Sequence, residues 1–88
     1  MRLDPNFILQ SLGEEAFLIP IGEKSDSFHG VIRLNVTARC IALGLQNGAT
    51  REELIRALDR AYEGTEEQFE RAVDYTIEAL RQANAIIE

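Results

Sequence analysis

The chain has 88 residues, 45 % of them hydrophobic and 27 % charged, and its net charge at pH 7 is −6. A chain of this length builds one small core, so a single domain over residues 1–88 is expected. The acidic surplus repels a phosphate backbone, which disfavours nucleic acid as a partner. The longest apolar run, residues 16–21, is far short of the ~20 residues that span a bilayer, so no membrane association is expected.

The cysteine count and the first residues bear on the compartment. Cys40 is the single cysteine, so an internal disulfide is excluded. The beginning of the chain lacks the charged-then-apolar layout of a secretory signal. These two features predict a cytoplasmic protein.

The first elements in chain order are two apolar-rich runs, residues 6–12 and 15–21, separated by Gly13-Glu14. This spacing is typical of a β-hairpin with a tight connection. Residues 22–27 are polar and are predicted to form a loop.

A strand pattern then passes into a helix pattern at one residue, Asn35. Alternation predicts a third strand over residues 28–34, with an inward face made of Phe28, Gly30, Ile32 and Leu34. Asn35 is a favoured helix N-cap. If this strand lies at a sheet edge, its unpaired backbone groups stand beside a helix, which is a geometry that binds extended peptides.

The first predicted helix begins after Asn35, has its stop signal at Gln46-Asn47-Gly48, and is apolar on almost every side. One stripe holds Val36, Cys40 and Leu43, and a second holds Ala38, Ile41, Ala42 and Leu45. A helix that is apolar all round is expected to be buried almost all round.

Two further helices have sequence signatures at their starts. Thr50 with Glu53, and Thr65 with Gln68, match the capping box. The third helix is predicted over residues 66–83, and Asn84 can take the left-handed C-cap conformation, leaving residues 84–88 as a short strand or tail. The result is an α+β domain resembling a winged helix-turn-helix, with a three-stranded sheet over residues 1–34 followed by three α-helices over residues 35–83.

The third helix has more apolar surface than one core stripe requires. At 100° per residue, the core stripe is Phe69, Val73, Thr76, Ile77 and Leu80. Beside it runs a flank of Gln68, Ala72, Tyr75, Ala79 and Ala83. This flank either packs inside the protein or forms one wall of a groove on which another backbone can lie.

The residues needed for catalysis are isolated from one another. His29 falls on the outward face of the third strand, and Cys40 lies in an apolar helix, where a small buried thiol is the expected state. One His and one Cys do not form a zinc site. We therefore expect no catalytic residues, no metal, no cofactor and no enzymatic activity.

Several runs, taken in order and spacing, resemble the PqqD family from about Leu9 to the C-terminus. They are residues 16–23, Phe28-His29-Gly30-Val31-Ile32-Arg33-Leu34-Asn35, Gly48-Ala49-Thr50-Arg51-Glu52-Glu53-Leu54 and residues 80–87. The resemblance implies a domain that binds the leader of a ribosomally made precursor peptide as an extra strand. That strand would lie between the third strand and the third helix, and the leader would be presented to a modifying enzyme, often a radical SAM enzyme.

The family's name protein acts in the biosynthesis of the redox cofactor pyrroloquinoline quinone (PQQ). Two positions of this chain depart from many relatives: Val36 stands where a proline is common, and Ala42-Leu43 where an aromatic residue is common. These departures favour a looser relative, so both the PQQ pathway and another modified-peptide pathway stay open.

The expected peptide-binding residues come from the third strand and from the flank of the third helix. They are Phe28, His29, Gly30, Val31, Ile32, Arg33, Leu34, Gln68, Ala72, Tyr75 and Ala79. The expected partners are a precursor-peptide leader and a radical SAM or other modifying enzyme, with the chain as a monomer or a strand-paired or swapped homodimer.

Two other functions compete with peptide binding. One is a winged-helix DNA-binding regulator, although residues 66–82 carry five acids against two arginines, a poor surface for phosphates. The other is a structural dimerisation module that pairs exposed strand edges.

Overall fold

The structure is a computed structural model, and it describes residues 1–27 and 30–88. Along the described part of the chain, three strands are followed by a short helix, a fourth strand, three longer helices and a fifth strand. The strands are β1 (Arg2–Leu3), β2 (Phe7–Leu12), β3 (Glu15–Pro20), β4 (Ile32–Leu34) and β5 (Ile86–Ile87). The helices are α1 (Glu23–Ser27), α2 (Val36–Gln46), α3 (Arg51–Ala61) and α4 (Glu66–Gln82).

The main sheet is antiparallel and has the order β2-β3-β4. β2 and β3 form the predicted hairpin, with Gly13 at φ 65° in its turn. β1 and β5 pair separately as a two-stranded sheet, in which Leu3 lies opposite Ile86. β5 matches one of the two predicted forms of the C-terminal segment, whereas β1, with two residues, is too short for an alternation pattern to detect.

One face of the main sheet packs against the helices. Ala16, Leu18 and Leu34 project from this face and are 5 % exposed or less. The predicted core stripe of α4 is also buried, all five residues being at most 8 % exposed. The α+β fold, with N-terminal strands followed by three main helices, is therefore as expected from the sequence.

The predicted helix caps are present. The Asn35 side chain accepts a hydrogen bond from the Ala38 amide at 2.8 Å. Both capping boxes, at Thr50 and at Thr65, have their two reciprocal hydrogen bonds. Asn84 has φ 58°, as expected for a residue that ends a helix in the left-handed conformation.

The predicted loop over residues 22–27 is wrong for most of its length, because α1 occupies Glu23–Ser27. The amide of Lys24 donates to the carbonyl of Ile21 at 3.2 Å, and the amide of Ser25 donates to the carbonyl of Gly22 at 3.1 Å. The ammonium group of Lys24 also forms an ion pair with the Asp4 carboxylate, with Nζ 3.5 Å from Oδ2. Tertiary contacts of this kind favour a helical turn that polar composition alone cannot distinguish from a loop.

The predicted third strand over residues 28–34 is too long. Pairing with β3 is confined to Ile32–Leu34, and Phe28 and His29 lie outside the described residues. Gly30 has φ 104°, outside the β region. Continuing the register places Gly30 opposite Pro20, which has no amide hydrogen to donate to the ladder.

The prediction that the first helix is buried almost all round is also wrong. Its second stripe, from Ala38 to Leu45, is buried. Val36 and Leu43 on the other stripe are 46 % and 43 % exposed, and Cys40 is half-buried. The main sheet, β1, α3 and α4 together cover only part of the circumference of α2. Among the described residues, no helix has the length and hydropathy needed to cross a membrane.

Candidate functional site

An open cleft of about 260 Å³ lies between β4 and α4. It is the place where the sequence predicted a groove. Three elements and the residues that flank them supply its walls. The lining residues are Ile32, Arg33, Leu34, Asn35, Ala38, Tyr75, Thr76, Ala79, Leu80 and Ala83.

β4 is an edge strand, and its backbone polarity follows from the register of the sheet. The Ile21 amide donates to the Asn6 carbonyl at 2.8 Å, so Asn6 and Ile21 form a hydrogen-bonded pair just before β2 and just after β3. Every second residue of β3, counted back from Ile21, therefore bonds to β2. The intervening residues of β3 face β4, where they lie opposite Ile32 and Leu34. The amide and carbonyl of Arg33 therefore point away from the sheet, along the open side of the cleft.

α4 supplies a wall of small side chains with one aromatic residue at its rim. Ala79 is exposed and Ala83 is half-buried, so the wall is low and the β4 edge is accessible. Tyr75 is 79 % exposed, an unusual state for a large aromatic side chain. Leu80 and Thr76, both buried, form the floor.

The structure brings five of the predicted site residues together in this cleft. They are Ile32, Arg33, Leu34, Tyr75 and Ala79. Gly30 and Val31 precede β4 and are not among the lining residues, and Phe28 and His29 fall in the stretch that the structure does not describe.

Two predicted residues on α4 lie away from the cleft. Ala72 packs against the hydrophobic core. The Gln68 side chain accepts a hydrogen bond from the Thr65 amide at 3.0 Å as part of the capping box. Helix geometry places both on the same flank as Tyr75, so the cleft takes up only part of the flank that the sequence predicted.

The sequence did not single out five of the lining residues as site residues. They are Asn35, Ala38, Thr76, Leu80 and Ala83. Thr76 and Leu80 follow the periodicity of a core stripe, and a floor residue has the same signature as a core residue. Ala83 belongs to the predicted flank but is absent from the expected binding residues, so taking the whole flank as the site would have included it.

The cleft is nearly free of charge. Arg33 is the charged lining residue, and its guanidinium lies 2.8 Å from the Glu15 carboxylate on the neighbouring strand. The acids of α4 lie on other faces of the helix; Asp74, for example, binds Arg51 of α3. An uncharged cleft beside a free strand edge suits an extended segment that carries apolar side chains.

The described residues outside the cleft offer little catalytic chemistry. Among residues 1–27 and 30–88, no three His, Cys, Asp or Glu side chains lie close enough together to hold a metal ion. Burial raises the pKa of the Cys40 thiol, and the lesser effect of Arg60 opposes this rise. A raised pKa reduces the thiolate fraction that nucleophilic chemistry requires.

Comparison with known proteins gives a family and a similar fold. The family model described as coenzyme PQQ synthesis protein D (PqqD) matches residues 12–86. No curated protein matches the chain. A solved structure, TbiB1 in complex with the TbiA(beta) leader peptide, has a TM-score of 0.79 and 18 % sequence identity, over 97 % of this chain and 93 % of that one. Because the family model covers most of its length, this chain belongs to the PqqD family.

Proposed function

We propose that this chain is a non-catalytic protein that captures the leader segment of a ribosomally made precursor peptide. The observation that carries the proposal is the outer edge of β4, with which no strand of the described residues pairs, along an open, nearly uncharged cleft. Membership of the PqqD family supports it. The similar fold of TbiB1, a protein whose structure holds a leader peptide, also supports it.

The proposed mode of binding is strand addition. A leader segment lies antiparallel to β4 and exchanges backbone hydrogen bonds with Arg33 and, one register step earlier, with Val31. Every second side chain of the leader then points into the cleft toward Ala79 and Leu80. The other side chains face solvent on the side of the sheet where Arg33 meets Glu15.

The strength of binding depends on the side chains in the cleft. Backbone hydrogen bonds contribute a net ~0.5–1.5 kcal/mol each, and association itself costs at least ~4 kcal/mol. The few outward groups of so short a strand therefore give little net affinity. Apolar contact with the alanine wall and with the ring of Tyr75 supplies the remainder and selects the peptide sequence.

The proposed contact residues include several that do not line the cleft. Gln68 and Ala72 lie one to two turns before Tyr75 on the same flank, where a longer leader would continue along α4. The segment containing Phe28, His29, Gly30 and Val31 precedes β4 and would extend the paired edge.

The proposed partner of the complex is the enzyme that modifies the precursor, a radical SAM maturase or another modifying enzyme. The chain would hold the leader while the remainder of the precursor reaches that enzyme. The product is PQQ or another modified peptide. A short peptide gene and a maturase gene beside the gene for this chain would support this assignment.

An NMR titration tests the binding mode. The leader of the neighbouring precursor is synthesised and added to the isotope-labelled chain. We expect the largest amide shifts at Val31–Leu34 and along Tyr75–Ala83, with the Arg33 amide becoming protected from solvent exchange. Shifts confined to α3, or no shifts at saturating peptide, would overturn the proposal.

A further inference from the structure

The main sheet has a second edge, β2, and this edge has few of the features that protect exposed strands. Its six residues, Phe7 to Leu12, contain no charge, no proline and no glycine, in a chain that is 27 % charged. Natural edge strands are commonly protected by charges, prolines or bulges. Within the part of the chain that the structure describes, no strand pairs with the outer side of β2.

The backbone groups on this edge belong to alternate residues. Since Asn6 and Ile21 form a hydrogen-bonded pair, Ile8, Gln10 and Leu12 bond to β3. The N–H and C=O groups of Leu9 and Ser11 therefore point outward.

The side chains of β2 add an apolar surface on the solvent face of the sheet. Ile8 is 45 % exposed and Leu12 is 73 % exposed, with Gln10 between them on the same face. An antiparallel sheet with one solvated face usually places polar residues at such positions.

We propose that a second copy of this chain pairs with β2 in antiparallel orientation, around a two-fold axis at Gln10. In this register Leu9 of each copy lies opposite Ser11 of the other, so the outward N–H and C=O groups of both residues bond reciprocally. The same register places each Ile8 against the partner's Leu12 in a non-hydrogen-bonded pair, where side chains approach most closely.

Neighbouring registers satisfy these requirements less well. Centring the axis on Leu9 places Ile8 against Gln10 and leaves Leu12 beyond the paired segment. Centring it on Ser11 places Leu9 opposite Gly13, which lies in the hairpin turn. The Gln10 register alone joins the two exposed apolar side chains.

The dimer is a six-stranded sheet in which β4 of each copy remains at an outer end. Two chains of net charge −6 repel each other, and an uncharged strand is a surface through which they can approach with least repulsion. The β4 edges and their clefts stay open, so this interface is independent of the proposed peptide site.

Symmetric disulfide trapping tests the register. Single cysteines are placed at Leu9, Gln10 and Ser11 in a Cys40→Ala background. A non-hydrogen-bonded pair has Cα atoms about 4.5 Å apart, within the range that a disulfide bridges. We expect Gln10→Cys to cross-link fastest, and faster cross-linking at Leu9→Cys or Ser11→Cys would overturn the register. An Arg33→Cys variant reports pairing through β4, and rapid cross-linking there would overturn the interface.

Sedimentation equilibrium tests the association itself. We expect the mass to rise with concentration from 9.9 kDa toward twice that value. Gln10→Lys places two like charges at the axis and should raise the dimer dissociation constant roughly tenfold. Gln82→Lys adds the same charge at the exposed end of α4 and should leave it unchanged. A mass of 9.9 kDa at every accessible concentration, or equal effects of the two lysines, would overturn the proposal.

Discussion

The guanidinium of Arg51 binds both carboxylate oxygens of Asp74, with Nε 2.8 Å from Oδ1 and Nη2 2.9 Å from Oδ2. Arg51 is the first residue of α3, and Asp74 lies midway along α4 beside Tyr75. The pair therefore fixes α3 against the helix that forms one wall of the cleft. The side-chain hydrogen bond from Arg51 holds the pKa of Asp74 below its usual value.

Replacing Asp74 by Asn should destabilise the fold slightly at neutral pH and not at all in strong acid. A carboxylate with a lowered folded-state pKa stabilises the fold above its unfolded pKa, here 3.8, and the effect is lost as the pH falls through the folded value. The effect is small because Asp74 is 56 % exposed. Denaturant unfolding of both proteins at neutral pH and well below pH 3.8 measures it. The matched control is Glu63→Gln at another exposed acid, and an Asp74 difference that persists in acid would contradict the prediction.

Ala79→Arg should weaken leader binding by at least about tenfold, because a long charged side chain fills the open cleft beside β4. Its position on an exposed helix surface predicts little change in stability. Calorimetric titration with the leader peptide measures the affinity. Ala61→Arg, at the exposed end of α3, is the matched control and should bind normally. Equal affinities for all three proteins would exclude this cleft as the binding site.

Arg33→Pro should weaken leader binding by roughly two- to tenfold, since proline removes the outward N–H and one backbone hydrogen bond. Edge strands tolerate proline where the lost N–H faces away from the sheet. Arg33→Ala keeps the N–H and removes the ion pair with Glu15. The two variants, compared by the same titration, separate the backbone contribution from the side-chain contribution. An affinity that falls equally in both would attribute the loss to the guanidinium.

Gly44→Ala should destabilise the fold by about 1–2 kcal/mol. A Cβ at this position would lie 2.5 Å from Cδ2 of Leu54, which is 1 % exposed, so this side chain must shift within the core. Overpacking of this kind outweighs the gain of up to ~1 kcal/mol in helix propensity. Urea unfolding measures the change. Leu43→Ala, on the exposed side of the same helix, should change stability by less. A larger loss of stability in Leu43→Ala than in Gly44→Ala would show that α2 and α3 can separate easily.

Local signals in the sequence were sufficient to predict most of the fold. The two capping boxes and Asn35 define helix starts because each cap needs only residues three positions apart. The core stripe of α4 follows from the helical period. The hairpin follows from two apolar runs around Gly13. In each case the information lies within a few residues.

The features that were predicted wrongly depend on distant parts of the chain. The third strand begins later than predicted, because Gly30 falls opposite Pro20, ten residues earlier on another strand. The exposure of Val36 and Leu43 depends on which sides of α2 its neighbours cover. The floor of the cleft, at Thr76 and Leu80, is indistinguishable from core until the sheet is placed beside it.

The alanine wall of α4 has a consequence for how such proteins diverge. Exposed small side chains contribute little to folding, so drift at Ala79 or the half-buried Ala83 toward larger residues would reshape the recess and leave the architecture intact. Peptide preference can then change from one relative to the next under weak structural constraint.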